Sequence, residues 1–542
     1  MPVTTFDRDY LNRVLGIKVD DKTLELQVSK MGFEVEKFEK ESIQLNITPN
    51  RPDLLDAVGF ARSLKNFMHK GNKFNYNIED MKPVLRINVG SKIRAVRPYV
   101  AGLVALGAEL DNEAVANLMN FSEKFCDTYG RRRNKIAIGM HNLNAITPPL
   151  YYDLYPNDSF TPLNQQKEYP FEKVLKELDQ GVEYGHIIDN GSQGYPALMD
   201  MKGTIALIPI INSERTKIDK ETKDIFVDVT GTSEYTVGRT AEMFAATFMD
   251  LGCDVKRVEI AYFKRKPILT PMMEKKFIKM PLQKAGSQLG VALGFNNVIS
   301  LANKMGYEAA LLGSNIRFTL PTYRIDIMNE QDVIEDLGIA YGYDYIQPTE
   351  VYSVEQGRQA DTTLAADKIS QMMIGLNFSE AMNSYLTNEK INFTGMRLKP
   401  TIRVQIKNPK TTSITMMRTW LLPSLMNNLA ASVHDKMPQN LFELDNVFYM
   451  HGSKPIEVAH IGLVSADSRA NFNEMKAVFE EMDALLGLGY KLAPYDHKSF
   501  IDGRCAQMLD GKKVVGFFGE IHPEVLSNFG IEEPVVALEM TL

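Results

Sequence analysis

The chain has 542 residues, with 61 basic and 68 acidic side chains, which gives a formal net charge of −7. A hydrophobic fraction of 44% and a charged fraction of 24% are typical of globular proteins and exclude a disordered, collagen-like or disulfide-built chain. The acidic balance also argues against a broadly basic coat for nucleic acid. At about 150 residues per domain, the length predicts three or four domains.

The three cysteines, Cys126, Cys253 and Cys505, lie far apart and show no metal-ligand spacing. We therefore expect buried, reduced thiols rather than a disulfide framework or a zinc site. The N-terminus has no basic start followed by an apolar core, and no stretch approaches the roughly 18 apolar residues of a membrane span. These features predict a soluble, cytoplasmic protein without a membrane partner.

Residues 1–80 carry the first copy of a repeat that returns about 270 residues later, at 270–348. Gly16 and Gly32 are separated by the same interval as Gly290 and Gly306. Each copy predicts a short helix, a second amphipathic helix closed by Met-Gly, an extended segment ending in Arg-x-Asp, and a further helical stretch. The sequence thus predicts two small related helical modules that flank a large insert.

The insert, residues 85–265, reads mainly as strands with interspersed helices. Its apolar runs are KPVLRINV, RPYVAGLVALGAEL, NKIAIGM, GTIALIPII and KDIFVDVTG. The basic run Arg131–Arg132–Arg133 precedes the strand that ends at His141. In isolation, this run is either solvated loop charge or a contact for the phosphates of an RNA backbone. His141 is either structural or positions a water or a sugar.

Short polar side chains follow two of these apolar runs. Ser213 and Glu214 follow one, and Asp228 and Thr230 lie in the other. Residues two apart on a strand project to the same face, so Asp228 and Thr230 would form the polar floor of a pocket, or else belong to turns. No nucleophile elbow, Walker loop or HExxH helix is present, which argues against a covalent hydrolase.

The second copy of the repeat differs from the first in its acidic residues. Asp332, Glu335 and Asp336 stand at i, i+3 and i+4, so a helix places all three carboxylates on one face. With Asp326 just upstream, four oxygen donors would suit a hard cation such as Mg²⁺. Like charges at this spacing repel unless a metal or an arginine neutralises them. The other reading is a solvated acidic face at a helix start, which the helix dipole favours.

Residues 352–542 predict a separate α/β unit. Helices are expected near 363–376, 419–433 and 473–486, and the predicted strands are TIRVQIK, NLFELDNVF, EVAHIGLVS, KKVVGFFGE and PVVALEM. The apolar runs are those of a central sheet.

Seven segments, spread over most of the length, carry a resemblance to one family. They are ITPNRPDLL, RRRNKIAIGMH, PIINSE…DVTGT, LPTYRIDI…DVIEDLGIAYGYD, NPKTTSITMMRTWLLPSLMNNLA, LFELDNVF, and GRCA…GFFGEIHPEVLSNFGI. In this order, they resemble the β subunits of phenylalanine–tRNA ligases of the shorter archaeal and eukaryotic-cytosolic type.

The resemblance implies a multidomain α+β chain in a class II aminoacyl-tRNA synthetase. It implies an (αβ)₂ heterotetramer in which the α subunit binds ATP and attaches phenylalanine to tRNA(Phe). Residues 85–265 are similar to the family's editing domain, which hydrolyses tyrosine wrongly attached to this tRNA. Residues 352–542 resemble a degenerate, non-catalytic copy of the synthetase fold with an antiparallel sheet, and Arg418 belongs to no recognisable ATP motif there.

The resemblance also implies roles for individual residues. It places Asp228 and Thr230 in the editing pocket, with His141, Ser213 and Glu214 as weaker candidates. Asp228 would accept a hydrogen bond from the tyrosine hydroxyl or orient a water. The family's Mg²⁺ site, near the α subunit, matches Asp326, Asp332, Glu335 and Asp336 in spacing. The alternative function is a structural and tRNA-binding subunit without active editing, because a retained fold does not guarantee retained activity.

Overall fold

The computed structural model describes residues 3–70, 76, 78, 82–188, 194–352 and 355–542. The chain forms two compact units, Met1–Glu350 and Val351–Leu542. The segments predicted at 1–80, 85–265 and 270–348 lie in the first unit, and the segment predicted at 352–542 lies in the second. The boundaries inside the first unit stay predictions.

The first copy of the repeat combines a three-stranded antiparallel sheet with three helices. Its elements are β1 (Val3–Asp7), α1 (Arg8–Leu15), α2 (Asp21–Lys30), β2 (Glu34–Phe38), β3 (Ser42–Asn46) and α3 (Ala57–Phe67). The strand order is β1-β3-β2. The Asp7 carboxylate accepts the Tyr10 N–H to start α1, and Gly16 ends the helix in the left-handed conformation with φ 63°.

The central segment is built on a ten-stranded mixed sheet. Its elements are β4 (Leu85–Val89), β5 (Tyr99–Leu106), α4 (Asn112–Asp127), β6 (Ile136–Asn142), β7 (Leu150–Tyr155), β8 (Ser159–Phe160), β9 (Tyr169–Pro170), α5 (Phe171–Glu177), α6 (Asp179–Tyr184), β10 (Tyr195–Asp200), β11 (Gly203–Leu207), β12 (Ile211–Asn212), β13 (Ile225–Gly231), α7 (Glu234–Asp250), β14 (Asp254–Tyr262) and β15 (Ile268–Thr270). The order is β12-β11-β10-β7-β4-β14-β5-β13-β6, with β15 paired to β14. Each of the five predicted apolar runs contains a strand, namely β4, β5, β6, β11 and β13.

One face of this sheet is covered by α4 and α7. Phe121 of α4 stacks on Phe244 of α7 with ring centroids 4.5 Å apart. The same apolar core continues into the first copy of the repeat through Phe6, Leu54 and Phe60. The first copy is therefore packed against the central segment, and not merely joined to it.

The second copy repeats the topology of the first. Its elements are β16 (Lys276–Pro281), α8 (Leu282–Leu289), α9 (Phe295–Lys304), β17 (Glu308–Leu312), β18 (Asn315–Leu320) and α10 (Glu330–Tyr341), with strand order β16-β18-β17. Gly290 ends α8 with φ 71° as Gly16 ends α1, and Gly32 and Gly306 have φ 85° and 81°. These matched left-handed glycines and the equal strand order confirm the repeat.

The description of both modules as helical was wrong, because each contains three strands. The central strands β3 and β18 alternate and match the predicted extended segments, whereas the edge strands β2 and β17 lack a clear alternation of apolar and polar residues. β2 reads EVEKF and is mostly exposed or half-buried, and β17 reads EAALL, a composition that also suits a helix.

The second unit is a seven-stranded sheet covered on both faces. Its elements are α11 (Asp361–Gly375), β19 (Ser379–Glu380), β20 (Leu386–Thr387), β21 (Met416–Met417), α12 (Leu422–Ala431), β22 (Gln439–His451), β23 (Lys454–Ala466), α13 (Phe472–Leu486), β24 (Lys491–Pro494), β25 (Phe500–Asp510), β26 (Lys513–Ile521), α14 (Pro523–Phe529) and β27 (Val535–Thr541). The order is β19-β22-β23-β27-β26-β25-β24, and every pair except β19–β22 is antiparallel.

The run TIRVQIK was predicted as a strand and is not one. Only Gln405 makes a bridge, to Met416, and Ile402 is 83% exposed. The strand alongside, β21, has only two residues, so the pairing is limited to the hydrogen bonds from Met417 N–H to Val404 O and from Ile406 N–H to Thr415 O, both at 3.0 Å.

A histidine in the second unit is held among aromatic rings. His497 stacks on Phe517 with centroids 5.0 Å apart, and Trp420 lies edge-on at 5.8 Å. Its Nδ1 accepts the Ser499 N–H at 3.3 Å. Burial lowers the pKa of His497 from 6.5 to about 4, because the charged ring loses its hydration there.

The partly buried His497 predicts an acid-sensitive second unit. A group whose pKa is lowered in the folded state stabilises fully above its unfolded pKa, and the stability is lost as pH falls from 6.5 towards 4. We expect a loss of up to about 3 kcal/mol over this range and a shallower profile for His497→Phe. Urea unfolding can be followed through Trp420, the only tryptophan of the chain. Identical pH profiles for the two proteins would contradict the assignment.

Candidate active site

The site is centred on β13, which runs between β5 and β6. All seven residues of β13 are buried, and the side chains alternate between two cores. Val227 and Val229 face α4 and α7, whereas Phe226 belongs to the core on the opposite face. Asp228 and Thr230 share the face of Phe226, as their spacing predicts.

Asp228 is fully buried and bonded to His141 through one oxygen. Asp228 Oδ2 lies 3.0 Å from His141 Nε2, and His141 Nδ1 lies 2.9 Å from Thr216 Oγ1. Because a carboxylate only accepts, Nε2 carries the proton that it donates to Asp228. Both side chains are 0% exposed. The structure therefore joins two of the predicted residues into one buried pair, with Thr216 behind it.

Asp228 also lines a cavity of about 220 Å³. Asp228 Oδ1 is buried and has no hydrogen-bond partner among the described residues. The cavity presents polar and apolar surface in about equal parts and is lined, besides Asp228, by Met119, Ser122, Glu123, Cys126, Arg133, Ala137, Ile138, Gly139, Met140, Leu163, Asn164, Gln180, Leu207, Ile208, Pro209, Ile210, Ile211 and Asn212. A buried oxygen without a partner is costly, so it marks the wall where a ligand can contribute a donor.

Gly139 makes room for this arrangement. It lies opposite Asp228 on β6, and a Cβ at this position would come within 2.1 Å of Asp228 Oδ2 and 2.8 Å of His141 Nε2. Sequence reasoning did not single out Gly139, although its place in IAIGMH, two residues before His141, was visible.

Thr230 does not line the cavity and instead binds Arg97. Arg97 is 1% exposed and donates from Nε to Thr230 Oγ1 at 3.1 Å and from Nη2 to Thr230 O at 2.8 Å. It makes no salt bridge with a described carboxylate, and burial lowers its pKa. Sequence reasoning missed Arg97, because nothing in RPYVAGL distinguishes a buried arginine from an exposed one.

Ser213 and Glu214 belong to the loop beside the cavity. Ser213 Oγ accepts the Arg215 N–H at 3.3 Å, and Glu214 accepts the Asn164 N–H at 2.6 Å. Neither lines the cavity, whereas their neighbours Asn164 and Asn212 do.

The predicted metal ligands are arranged around an arginine. Arg324 Nη2 lies 2.7 Å from Asp326 Oδ2 and 2.6 Å from Asp336 Oδ2, and Tyr307 also donates to Asp336. Burial alone would lower the pKa of Arg324, but Asp336, Tyr307 and Asp326 together raise it well above its usual value. The arginine partner that the like charges called for is therefore present.

The other two acidic residues lie apart from this arginine. Asp332 accepts the backbone N–H groups of Met328 at 2.7 Å and Asn329 at 2.9 Å in a capping box, and Glu335 is exposed. Among the described residues, no three His, Cys, Asp or Glu side chains are grouped in a way that would hold a metal ion. The four carboxylates keep the chemistry that Mg²⁺ prefers, but their present partners are protein groups.

In the second unit, Arg418 is fully buried. It pairs with Glu443, and its Nη2 lies 3.2 Å from Asp445 Oδ2. Its Nε donates to Asn446 O at 3.0 Å. This arginine is thus engaged inside the protein.

Comparison with known proteins identifies the family. Residues 348–542 match the phenylalanyl tRNA synthetase beta chain CLM domain, and residues 278–343 match the tRNA synthetase B5 domain. The phenylalanine–tRNA ligase beta subunit of Archaeoglobus fulgidus is 35% identical to this chain. The alignment covers 100% of this chain and 98% of that subunit. The chain belongs to the phenylalanine–tRNA ligase β-subunit family.

Two further relatives agree with this assignment. The β subunit of Methanocaldococcus jannaschii is 31% identical over the full length of both chains. A crystal structure of an N-terminal fragment of the phenylalanyl-tRNA synthetase β subunit from Pyrococcus horikoshii superimposes with a TM-score of 0.60 at 30% identity. It covers 63% of this chain and 100% of the fragment. The family supplies a component of an aminoacyl-tRNA synthetase.

Two expectations about the remaining chain can be compared with the structure. Cys126, Cys253 and Cys505 are free and buried. Among the described helices, none is long and apolar enough to cross a membrane.

The contact between residues 139 and 228 predicts a coupled pair of substitutions. Gly139→Ala places a methyl group against Asp228 and is expected to cost about 1–3 kcal/mol of unfolding free energy, as overpacking does. In an Asp228→Ala background most of this clash is absent, so the same change is expected to cost less. Denaturant unfolding of the four proteins measures the coupling. An equal cost of Gly139→Ala in both backgrounds would show that the two residues do not compete for space.

Proposed function

We propose that this chain is the β subunit of a phenylalanine–tRNA ligase and that its central sheet hydrolyses tyrosine wrongly attached to tRNA(Phe). It would act in the cytoplasm with an α subunit, in an (αβ)₂ heterotetramer in which α binds ATP and joins phenylalanine to the tRNA. The full-length similarity to named β subunits supports the partnership. The buried ion pairs of Arg418 support a scaffolding role for the second unit, because this arginine is not available to an ATP phosphate.

Proofreading answers a physical limit of amino-acid selection. An apolar pocket rejects a substrate that merely adds a hydroxyl by only about a hundredfold. A second pocket that hydrogen-bonds this hydroxyl can separate tyrosine from phenylalanine, because phenylalanine leaves the polar group of the pocket without a partner.

The observation that carries the proposal is Asp228, which lines a cavity of mixed polar and apolar side chains and whose Oδ1 is buried without a partner among the described residues. His141 donates to Oδ2, so the carboxylate is held in one orientation and Oδ1 is left without a protein partner among the described residues. A phenol hydroxyl would donate to Oδ1 and relieve its missing bond. Of the two roles left open for Asp228, recognition of the tyrosine hydroxyl is therefore the one that the geometry favours.

Hydrolysis itself requires a water at the ester carbon. The oxygen of the water forms a bond to the carbonyl carbon, and the ribose oxygen of the tRNA leaves with a proton. The residues of this chain contribute by fixing the amino-acid side chain, which orients the ester relative to the water. His141 and Thr216 act through Asp228, and Thr230 acts through Arg97, so we assign these three residues to positioning.

Asp228→Ala is expected to lower kcat/KM for deacylation of tyrosyl-tRNA(Phe) about ten- to a hundredfold, since a hydrogen bond to a charged group contributes about 1.5–3 kcal/mol. Deacylation of phenylalanyl-tRNA(Phe) is expected to change little, because phenylalanine makes no such bond. The co-expressed αβ enzyme is assayed with both substrates, and phenylalanine charging serves as the check on folding.

Asp254→Ala, which removes a half-exposed carboxylate from the same sheet, is the matched control. An equal loss with both substrates would show that Asp228 orients the water instead of reading the hydroxyl. Absence of tyrosyl-tRNA(Phe) deacylation by the wild type, with charging intact, would leave the β chain as a structural and tRNA-binding subunit.

We further propose that Asp326, Asp332, Glu335 and Asp336 bind Mg²⁺. Arg324 provides one positive charge against two buried or half-buried carboxylates, and two more acidic groups follow on α10. A bound Mg²⁺ would neutralise the negative charge that Arg324 leaves. Its role would be structural, because the acidic residues belong to the second copy of the repeat and not to the cavity of Asp228.

A Mg²⁺ site here predicts that a chelator destabilises the αβ enzyme. A ligand present at 100 times its Kd stabilises by about 2.7 kcal/mol, so removal of Mg²⁺ should lower the Tm by a few degrees. Glu335→Gln should abolish this sensitivity, and Glu330→Gln, the neighbouring acid that pairs with Lys284, should retain it. If the chelator does not change the Tm of the wild type, the Mg²⁺ site is contradicted. Arg324 is then the group that balances the charge of Asp326 and Asp336.

A further inference from the structure

The turn between α4 and β6 presents its arginines in a strained backbone conformation. Arg131, Arg132 and Arg133 have φ angles of 51°, 51° and 62°, in the left-handed region that residues with a Cβ avoid. Arg132 N–H donates to Asp127 O and Arg133 N–H to Cys126 O, both at 3.0 Å, so the turn closes the end of α4. We call residues 131–134 the arginine turn.

The buried side chain of Arg97 binds the backbone of the arginine turn. Arg97 Nη1 donates to Arg133 O at 3.0 Å and to Asn134 O at 3.3 Å. The same guanidinium binds Thr230 next to Asp228 in the site strand. Strained backbone persists only where the surrounding structure enforces it, and here the enforcing group also supports the candidate site.

The arginines of the turn point in different directions. Arg133 reaches inward, donates to Ile210 O at 2.7 Å, stacks on Tyr184 at 4.3 Å and lines the cavity. Arg131 is exposed, and its side chain has no partner among the described residues. Arg132 pairs with Glu183 at 2.7 Å, with the two side chains 68% and 46% exposed, so this pair contributes little in water.

The two exposed arginines lie close in the chain to the residues that line the cavity. Consecutive Cα atoms are about 3.8 Å apart, so Arg131 and Arg132 lie within two residues of the cavity-lining Arg133. The turn leads directly into β6, of which Ala137, Ile138 and Gly139 line the cavity. An anion whose attached group occupies the cavity would therefore lie near the arginine turn.

We propose that Arg131 and Arg132 bind the phosphate on the 5′ side of the terminal nucleotide of an aminoacyl-tRNA whose amino acid occupies the cavity. This inference rests on the proposed proofreading function and adds the surface that receives the RNA. The ester and this phosphate belong to the same nucleotide, so an ester at the cavity brings the phosphate to its rim. Guanidinium groups bind phosphate oxygens through paired N–H donors.

The test compares deacylation of tyrosyl-tRNA(Phe) by co-expressed αβ enzymes. The variants are Arg131→Glu with Arg132→Glu, the same two positions changed to Lys, and Arg86→Glu as an exposed arginine of the same sheet. Reversal of both charges is expected to raise KM roughly tenfold or more with little change in kcat, and to reduce the dependence of KM on salt. The Lys variant should fall between this protein and the wild type, and Arg86→Glu should match the wild type.

If the variant with Arg131→Glu and Arg132→Glu has the same KM and the same salt dependence as Arg86→Glu, the inference is overturned. The proofreading proposal stays intact in that case. If the wild type does not deacylate, the proofreading proposal fails, and a second measurement decides the inference. A tRNA with a photoreactive nucleotide at the penultimate position of its 3′ end should cross-link to the peptide that contains residues 131–134. Absence of this cross-link, with cross-links elsewhere in the complex, would overturn the inference independently of activity.

Discussion

The arrangement of the central segment depends on a carboxylate buried in the middle of a sheet. Asp228 lies on a strand paired on both sides, where water cannot reach it and an unpaired charge is costly. His141 compensates one oxygen, and the absence of a side chain at Gly139 leaves space for that bond. The second oxygen is left without a partner among the described residues. The positions of Thr216, Thr230 and Arg97 follow from the need to hold this group and its strand.

The two copies of the repeat show how the same Arg-x-Asp unit supports different charge balances. In the first copy, Arg51 binds Asp53 through two hydrogen bonds of 2.9 Å each. Among the described residues, Arg51 makes no salt bridge with a second carboxylate. In the second copy, Arg324 binds Asp326 and also Asp336 from α10. The Arg51–Asp53 pair stabilises the turn before α3. Arg324 stabilises the corresponding turn and also binds that turn to α10 through Asp336.

Much of the fold was predictable where a pattern has a single structural meaning. The equal spacing of Gly16–Gly32 and Gly290–Gly306 indicated a duplicated module, because a helix that ends in a left-handed residue favours glycine at that place. Buried central strands such as β13 were visible as apolar runs. The short strands β2 and β17 were not, since a half-exposed edge strand needs no strict alternation.

The candidate site was predictable only in part, for the same physical reason. Asp228 and His141 stood out because polar residues interrupt apolar strands. Arg97, Thr216 and Gly139 did not, since their importance arises from contacts across 36 to 133 positions of the chain, or from a side chain that is absent. The acidic residues of the second copy were recognised as a group, but spacing alone could not say that Arg324 would take two of them.

The pairing of Gly139 with Asp228 also has a consequence for how such a pocket can change. The backbone of β13 is fixed by ladders on both sides, so the identity of residue 228 can vary without moving the strand, provided that the residue opposite leaves room. Under the proposed function, residues 139 and 228 on adjacent strands decide together which side chain the cavity can present at this point of its lining. Such a pocket can change its chemistry by replacement of these two residues, while the sheet that carries it stays the same.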